Sequence, residues 1–102
     1  KQQLCFIGHS HQPVIIALGN DKRCYVERGE SVAIMADARY IINIGSVGQP
    51  RDGNPDSAYA IYDTDEKSVR IKRLSYDIKK VQAKMRDERL PAYLIHRLEE
   101  GL

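Results

Sequence analysis

With 102 residues the chain has room for one small domain and a modest core. Its 42% hydrophobic and 29% charged residues are ordinary for a soluble globular protein, and a formal net charge of +2 is too small to argue for a nucleic-acid or membrane-surface partner. No apolar run approaches the ~18 to 20 residues of a membrane span, and nothing at the N-terminus has a signal-peptide pattern, so a cytoplasmic protein is expected.

The first predicted element is a fully buried strand, Leu4-Cys5-Phe6-Ile7, which stops at Gly8. It delivers His9-Ser10-His11-Gln12-Pro13, two imidazoles separated by one residue, and this is the most specific stretch in the chain. An apolar strand that ends in histidines is one way a fold presents metal ligands at its edge. Two imidazoles do not make a site by themselves, since a stable one takes about three or four protein ligands. Unless the backbone bends, His-x-His also does not close on a single ion. Each ring is better placed to serve one ion of a close pair, as in two-metal phosphoryl-transfer sites. The plain alternative is a loop with one hydrogen-bonded and one solvated histidine.

After Pro13, Val14 to Leu18 reads as the next strand. Gly19-Asn20-Asp21-Lys22 carries turn chemistry, which predicts that Arg23 to Glu27 pairs back as the second arm of a hairpin. Cys5 and Cys24 lie in apolar or strand-like stretches and are expected as small buried hydrophobes. Together with His9 and His11 they supply two thiols and two imidazoles. Zinc frameworks usually bring their cysteines within C-x2-4-C spacing, however, and these two are nineteen apart (24 minus 5).

Ser31 to Met35 suggests a short strand, and the β-branched and aromatic run Tyr40 to Ile44 a firmer one. From Gly45 to Pro55 the composition turns to Gly, Pro, Asp, Asn and Ser. A glycine-rich turn can present backbone N–H groups to an anion, and Arg51 can offer a bidentate fork to a phosphate. A connecting loop with a solvated arginine fits the same residues. Ala58 to Tyr62 and Ser68 to Lys72 flank a polar turn and form the clearest hairpin, with Val69 and Ile71 on one face and Arg70 and Lys72 on the other. The basic face, extended by Arg73, reads first as solvated surface and second as an attraction for an anionic substrate.

After Asp77 the period changes from two to 3.6. Ile78, Val81 and Met85 make one helical stripe, and Pro91 opens a second helix with Leu94, Ile95 and Leu98 inward and Gly101 as its stop. His96 is expected to be exposed. The whole reads as an α+β unit of mostly antiparallel strands followed by one or two helices that cover a sheet face.

Gly8-His9-Ser10-His11, followed after a later strand by Asn43-Ile44-Gly45-Ser46-Val47-Gly48-Gln49-Pro50-Arg51, closely resembles the C-terminal part of the calcineurin-like metallophosphoesterase family. There the last metal-binding motif reads Gly-His-x-His, and a Gly-Ser loop ending in Pro-Arg follows. The family's earlier motifs, an Asp-x-His, a Gly-Asp with Asp-Arg, a Gly-Asn-His-Asp/Glu and a lone His, do not occur here. The resemblance therefore implies that residues 1–102 are the C-terminal part of a single domain whose N-terminal half is absent, and the start at Lys1 rather than Met agrees with this. It implies the strand-rich half of a four-layer αββα sandwich. His9 and His11 would each ligate one of two divalent metal ions, of manganese, iron, zinc or nickel, and Arg51 would contact the substrate. The complete protein would hydrolyse a phosphoester with metal-bound hydroxide, while this segment alone would be inactive. A non-catalytic binding or scaffold domain of the same fold is the alternative.

Overall fold

In the computed structural model, which describes residues 2–27 and 29–102, seven strands form two sheets and two helices follow. The first sheet contains β1 (Leu4–Ile7), β2 (Val14–Leu18), β3 (Cys24–Glu27) and β5 (Arg39–Asn43), in the order β1-β5-β2-β3. The second contains β4 (Ser31–Ala33), β6 (Ser57–Asp63) and β7 (Ser68–Leu74), in the order β4-β7-β6. Every pairing is antiparallel except that of β1 with β5.

Alternation along the strands builds the core between the sheets. Ile15 pairs with Ile42 and Ala17 with Tyr40, so all four share the face that meets Val32, Val69 and Ile71 of the second sheet. Ile42 and Val69 are fully buried, each burial favouring the fold by roughly 1.5–3 kcal/mol. Tyr40 is buried too, and its hydroxyl accepts from the Met35 N–H at 3.0 Å, so its polar end is partnered. The hairpin β6–β7 forms as its alternation predicts, with Val69 and Ile71 inward and Arg70 exposed.

Three expectations are corrected. Strand β1 is not fully buried: it lies at the edge of its sheet, bonded only to β5, and Cys5, Phe6 and Ile7 are exposed. Cys5 and Cys24 are likewise exposed rather than core residues, since they sit on the two edge strands of a sheet whose outer face is covered by no element among the described residues. The helices, finally, do not lie across a sheet. Helix α1 (Ile78–Asp87) and helix α2 (Ala92–Glu100) pack chiefly on each other. Asp77 caps α1, its carboxylate accepting from Lys80 N–H, and Gly101 ends α2 in the left-handed conformation with its carbonyl accepting from Gly53 N–H at 2.9 Å. Gln82 is buried between the helices because its amide donates to the Ile95 carbonyl at 2.9 Å. Helix α2 thereby ties to the loop after β5. No helix among the described residues is long and apolar enough to cross a membrane.

Candidate functional site

The parallel pairing of β1 with β5 decides where the two singled-out loops go. Ile7 and Asn43, the last residues of the two strands, are register partners, so both chains leave the sheet at the same end. On the other side of β5, Asn43 also pairs with Val14, the first residue of β2. The segment from Gly8 to Pro13 must therefore step over the end of β5 to connect β1 with β2. Asn43 ends up beneath it, 3% exposed.

This crossing bends the backbone sharply. His9 and His11 both take left-handed dihedrals, with φ of 74° and 60°. For an L-residue that conformation costs about 1–2 kcal/mol, although histidine is among the side chains found there more often than most. Ser10 N–H donates to the Gly8 carbonyl at 3.0 Å, and Gln12 N–H to Ser10 Oγ at 3.3 Å. His9 is exposed and His11 half-buried.

The second loop docks onto the first. Arg51 N–H donates to the His11 carbonyl at 3.0 Å, and His11 Nδ1 lies 2.8 Å from the Gln49 carbonyl. A carbonyl only accepts, so Nδ1 carries the proton, and in the neutral ring Nε2 keeps its lone pair. Metal-binding histidines are commonly oriented in this way, by a carbonyl on the nitrogen that does not ligate. Arg51 itself is half-buried: Nη2 donates to Gln49 Oε1 at 2.5 Å, while Nε is buried with no partner among the described residues. His11 and Arg51 thus belong to one hydrogen-bonded unit, with exposed His9 on the same loop.

Several residues of this unit belong to the two motifs but carry no individual role in the sequence reading. Asn43 Nδ2 donates to the Gly8 carbonyl at 3.0 Å and to Ser10 Oγ at 2.7 Å, while its Oδ1 accepts from Gly45 N–H at 3.0 Å. Gly45, at φ 79°, lies so close to the β1–β2 loop and β6 that an added Cβ would stand 2.9 Å from Ala58 Cβ and 3.2 Å from Pro13 Cδ. Ser46 Oγ accepts from Gln49 N–H at 2.9 Å, and Ser57 Oγ donates to the Val47 carbonyl at 2.7 Å. A polar amide closing the β-branched run Tyr40 to Asn43 was the available signal for the clamp.

Arg73, one of three basic residues weighed as an attraction for an anion, is used inside the fold. It forms a bidentate pair with Asp52, at 2.5 and 3.1 Å, and also donates to the carbonyls of Asn54 and Asp56. Burial pushes the Asp52 carboxyl upward, but the hydrogen bond and charge of Arg73 outweigh it and hold the group below its ordinary value. Burial also raises the Tyr76 phenol, whose hydroxyl is 3.4 Å from the Gly48 carbonyl.

The donor set for metal is partial. Among the described residues no group of three or more His, Cys, Asp or Glu side chains is placed to hold an ion. Cys5 and Cys24 stand on opposite edges of the four-stranded sheet, which removes the four-ligand zinc arrangement. The His11 ring fits a metal as one oriented ligand, and any complete centre needs further ligands from outside these 102 residues.

No known family profile matches the chain. It is 40% identical over 98 residues to an uncharacterized protein of Methanocaldococcus jannaschii, an alignment that takes in 96% of this chain and 39% of that protein. The crystal structure of a metallophosphoesterase from Sphaerobacter thermophilus matches 100% of this chain with a TM-score of 0.86 and 40% identity, again over only 43% of the larger chain. The described residues therefore share the fold of part of that metallophosphoesterase, in keeping with the C-terminal portion that the motifs resemble.

Proposed function

We propose that this chain is the C-terminal segment of a dinuclear metal-dependent phosphoesterase, in which His9 and His11 each supply one imidazole and Arg51 contacts the phosphoryl group of the substrate. The observation that carries the reading is the hydrogen bond from His11 Nδ1 to the Gln49 carbonyl, which leaves Nε2 as the lone-pair donor at the end of an apolar strand. Divalent ions at such a site would supply a hydroxide nucleophile at neutral pH and neutralise charge developing on the phosphoryl oxygens. This chain's own part is to hold two imidazoles and one guanidinium on a single hydrogen-bonded unit. The buried, unpartnered Nε of Arg51 supports an anion contact, since a buried donor without a partner costs about 1–3 kcal/mol unless something outside the chain satisfies it.

The remaining ligands are assigned to the rest of the parent polypeptide, which also covers the apolar surface left open here. Cys5, Ile16, Ile41 and Val26 run in register across the outer face of the four-stranded sheet, beside a groove of about 640 Å³. Phe6 and Tyr62, on the neighbouring free edges β1 and β6, meet with ring centroids 6.0 Å apart and remain more than 40% exposed. Strand β1 has none of the charged or proline residues that usually protect an edge. A chain that spans 39% and 43% of its relatives leaves ample polypeptide to pair with these edges.

The partial donor set favours one rival, a non-catalytic scaffold of the same fold. Manganese-dependent hydrolysis of a nitrophenyl phosphodiester by the whole protein separates the two. The enzyme reading expects turnover that His9→Ala or His11→Ala abolishes, while Arg51→Ala lowers it and leaves metal content unchanged. Residues 1–102 made alone are expected to show none. A whole protein with no turnover and no bound metal supports the scaffold.

A further inference from the structure

We propose that Asn43 is the positioning residue that holds the two histidines in their left-handed conformations and sets the register between the two loops. The inference rests on the reading of His9 and His11 as metal ligands and adds the group that orients them. Every hydrogen-bonding direction it needs is assigned by its partners. The Gly8 carbonyl can only accept and the Gly45 N–H can only donate, so the amide orientation of Asn43 has one solution. One side chain thus grips the histidine loop at Gly8 and Ser10, on either side of His9, and the second loop at Gly45. The second loop carries Gln49, whose carbonyl orients the His11 ring, and Arg51, whose N–H holds the His11 carbonyl. A shift of one loop against the other therefore breaks the bond that selects the His11 tautomer.

Aspartate in place of Asn43 keeps the shape and loses both donors. Burial makes this loss consequential, because at 3% exposure water does not replace the partner. Ser10 is exposed, and its hydroxyl oxygen accepts from both Asn43 Nδ2 and Gln12 N–H, so Ser10→Ala loosens the same grip without touching the core.

The test uses the whole parent protein with manganese(II) as the sole added ligand. Calorimetric affinity is measured for wild type, Asn43→Asp, Ser10→Ala and His11→Ala, beside the melting temperature of each metal-free protein. Nitrogen-detected NMR reads the His11 tautomer without metal. Asn43→Asp should weaken manganese binding about 10- to 100-fold, the range typical for removing a group behind a ligand, and mix the His11 tautomers. Ser10→Ala should weaken it several-fold at nearly unchanged melting temperature. If Asn43→Asp does not fold, Ser10→Ala decides alone. Wild-type affinity and an undisturbed Nδ1–H tautomer in the folded variants overturn the inference. If His11→Ala also binds manganese as wild type, it is the metal reading that fails, and the tautomer alone then decides whether Asn43 positions the ring.

Discussion

The loop end and the outer face of the four-stranded sheet share strands but solve opposite problems. At the loop end, Asn43, the Gln49 carbonyl and the Arg51 N–H link the second loop to Gly8, Ser10 and His11 of the first, while Ser46 and the Gln49 side chain brace the second loop itself. On the outer face, Ile41 and Val26 stand 47% and 62% exposed, with no polar pattern to make that exposure comfortable in water. A segment can complete a polar network by itself because hydrogen bonds are short and directional. An apolar face is completed only by a second layer. The contrast explains how the two loops can be ordered by bonds of their own while the sheet beside them keeps an uncovered apolar face.

The comparison breaks most visibly at neighbouring isoleucines of β5. Ile42→Ala, inside the core, should destabilise the whole protein by about 2–5 kcal/mol in urea titration. Ile41→Ala should approach that cost in the whole protein, although the side chain is half-exposed here. A change within about 0.5 kcal/mol, the usual size for a surface site, would mean that the outer face stays bare. For the 102-residue chain, Ile41→Lys should reduce self-association in light scattering, and unchanged association would place the sticky surface elsewhere.

At the loop end, Gly45→Ala should cost about 2–3 kcal/mol, because it adds left-handed strain to a contact already at 2.9 Å. A melting curve matching wild type would show that the loops yield there. The smallest effect is expected at Asp52. Its carboxyl is held below the ordinary carboxylate value, so the Arg73 pair stabilises the fold above that ordinary value and the contribution fades as pH falls through the lower native one. Asp52→Asn should therefore lower stability near pH 7 by up to about 1 kcal/mol, since the pair is partly solvated, and the difference should close in acid. A gap that persists at low pH would assign the loss to geometry instead of charge.

Local chemistry was legible from the residues alone. Alternation at Val69, Arg70 and Ile71 determined the inward face of β7, Asp77 marked the start of α1, and Gly101 marked the end of α2. The two loops were legible too, as Gly-His-x-His and as the run from Asn43 to Arg51, because their glycine and proline spacing interrupts every apolar period. What periodicity cannot report is which strand lies beside which, and so which faces are covered. The four apolar letters of β1 read equally well as a central or an edge strand. Only long-range pairing put them at the edge, parallel to β5, and left Cys5 in the open. The same pairing carried the histidine loop across the end of β5, turned Asn43 from the last letter of a strand into a clamp, and brought Gln49 to His11 from 38 residues away.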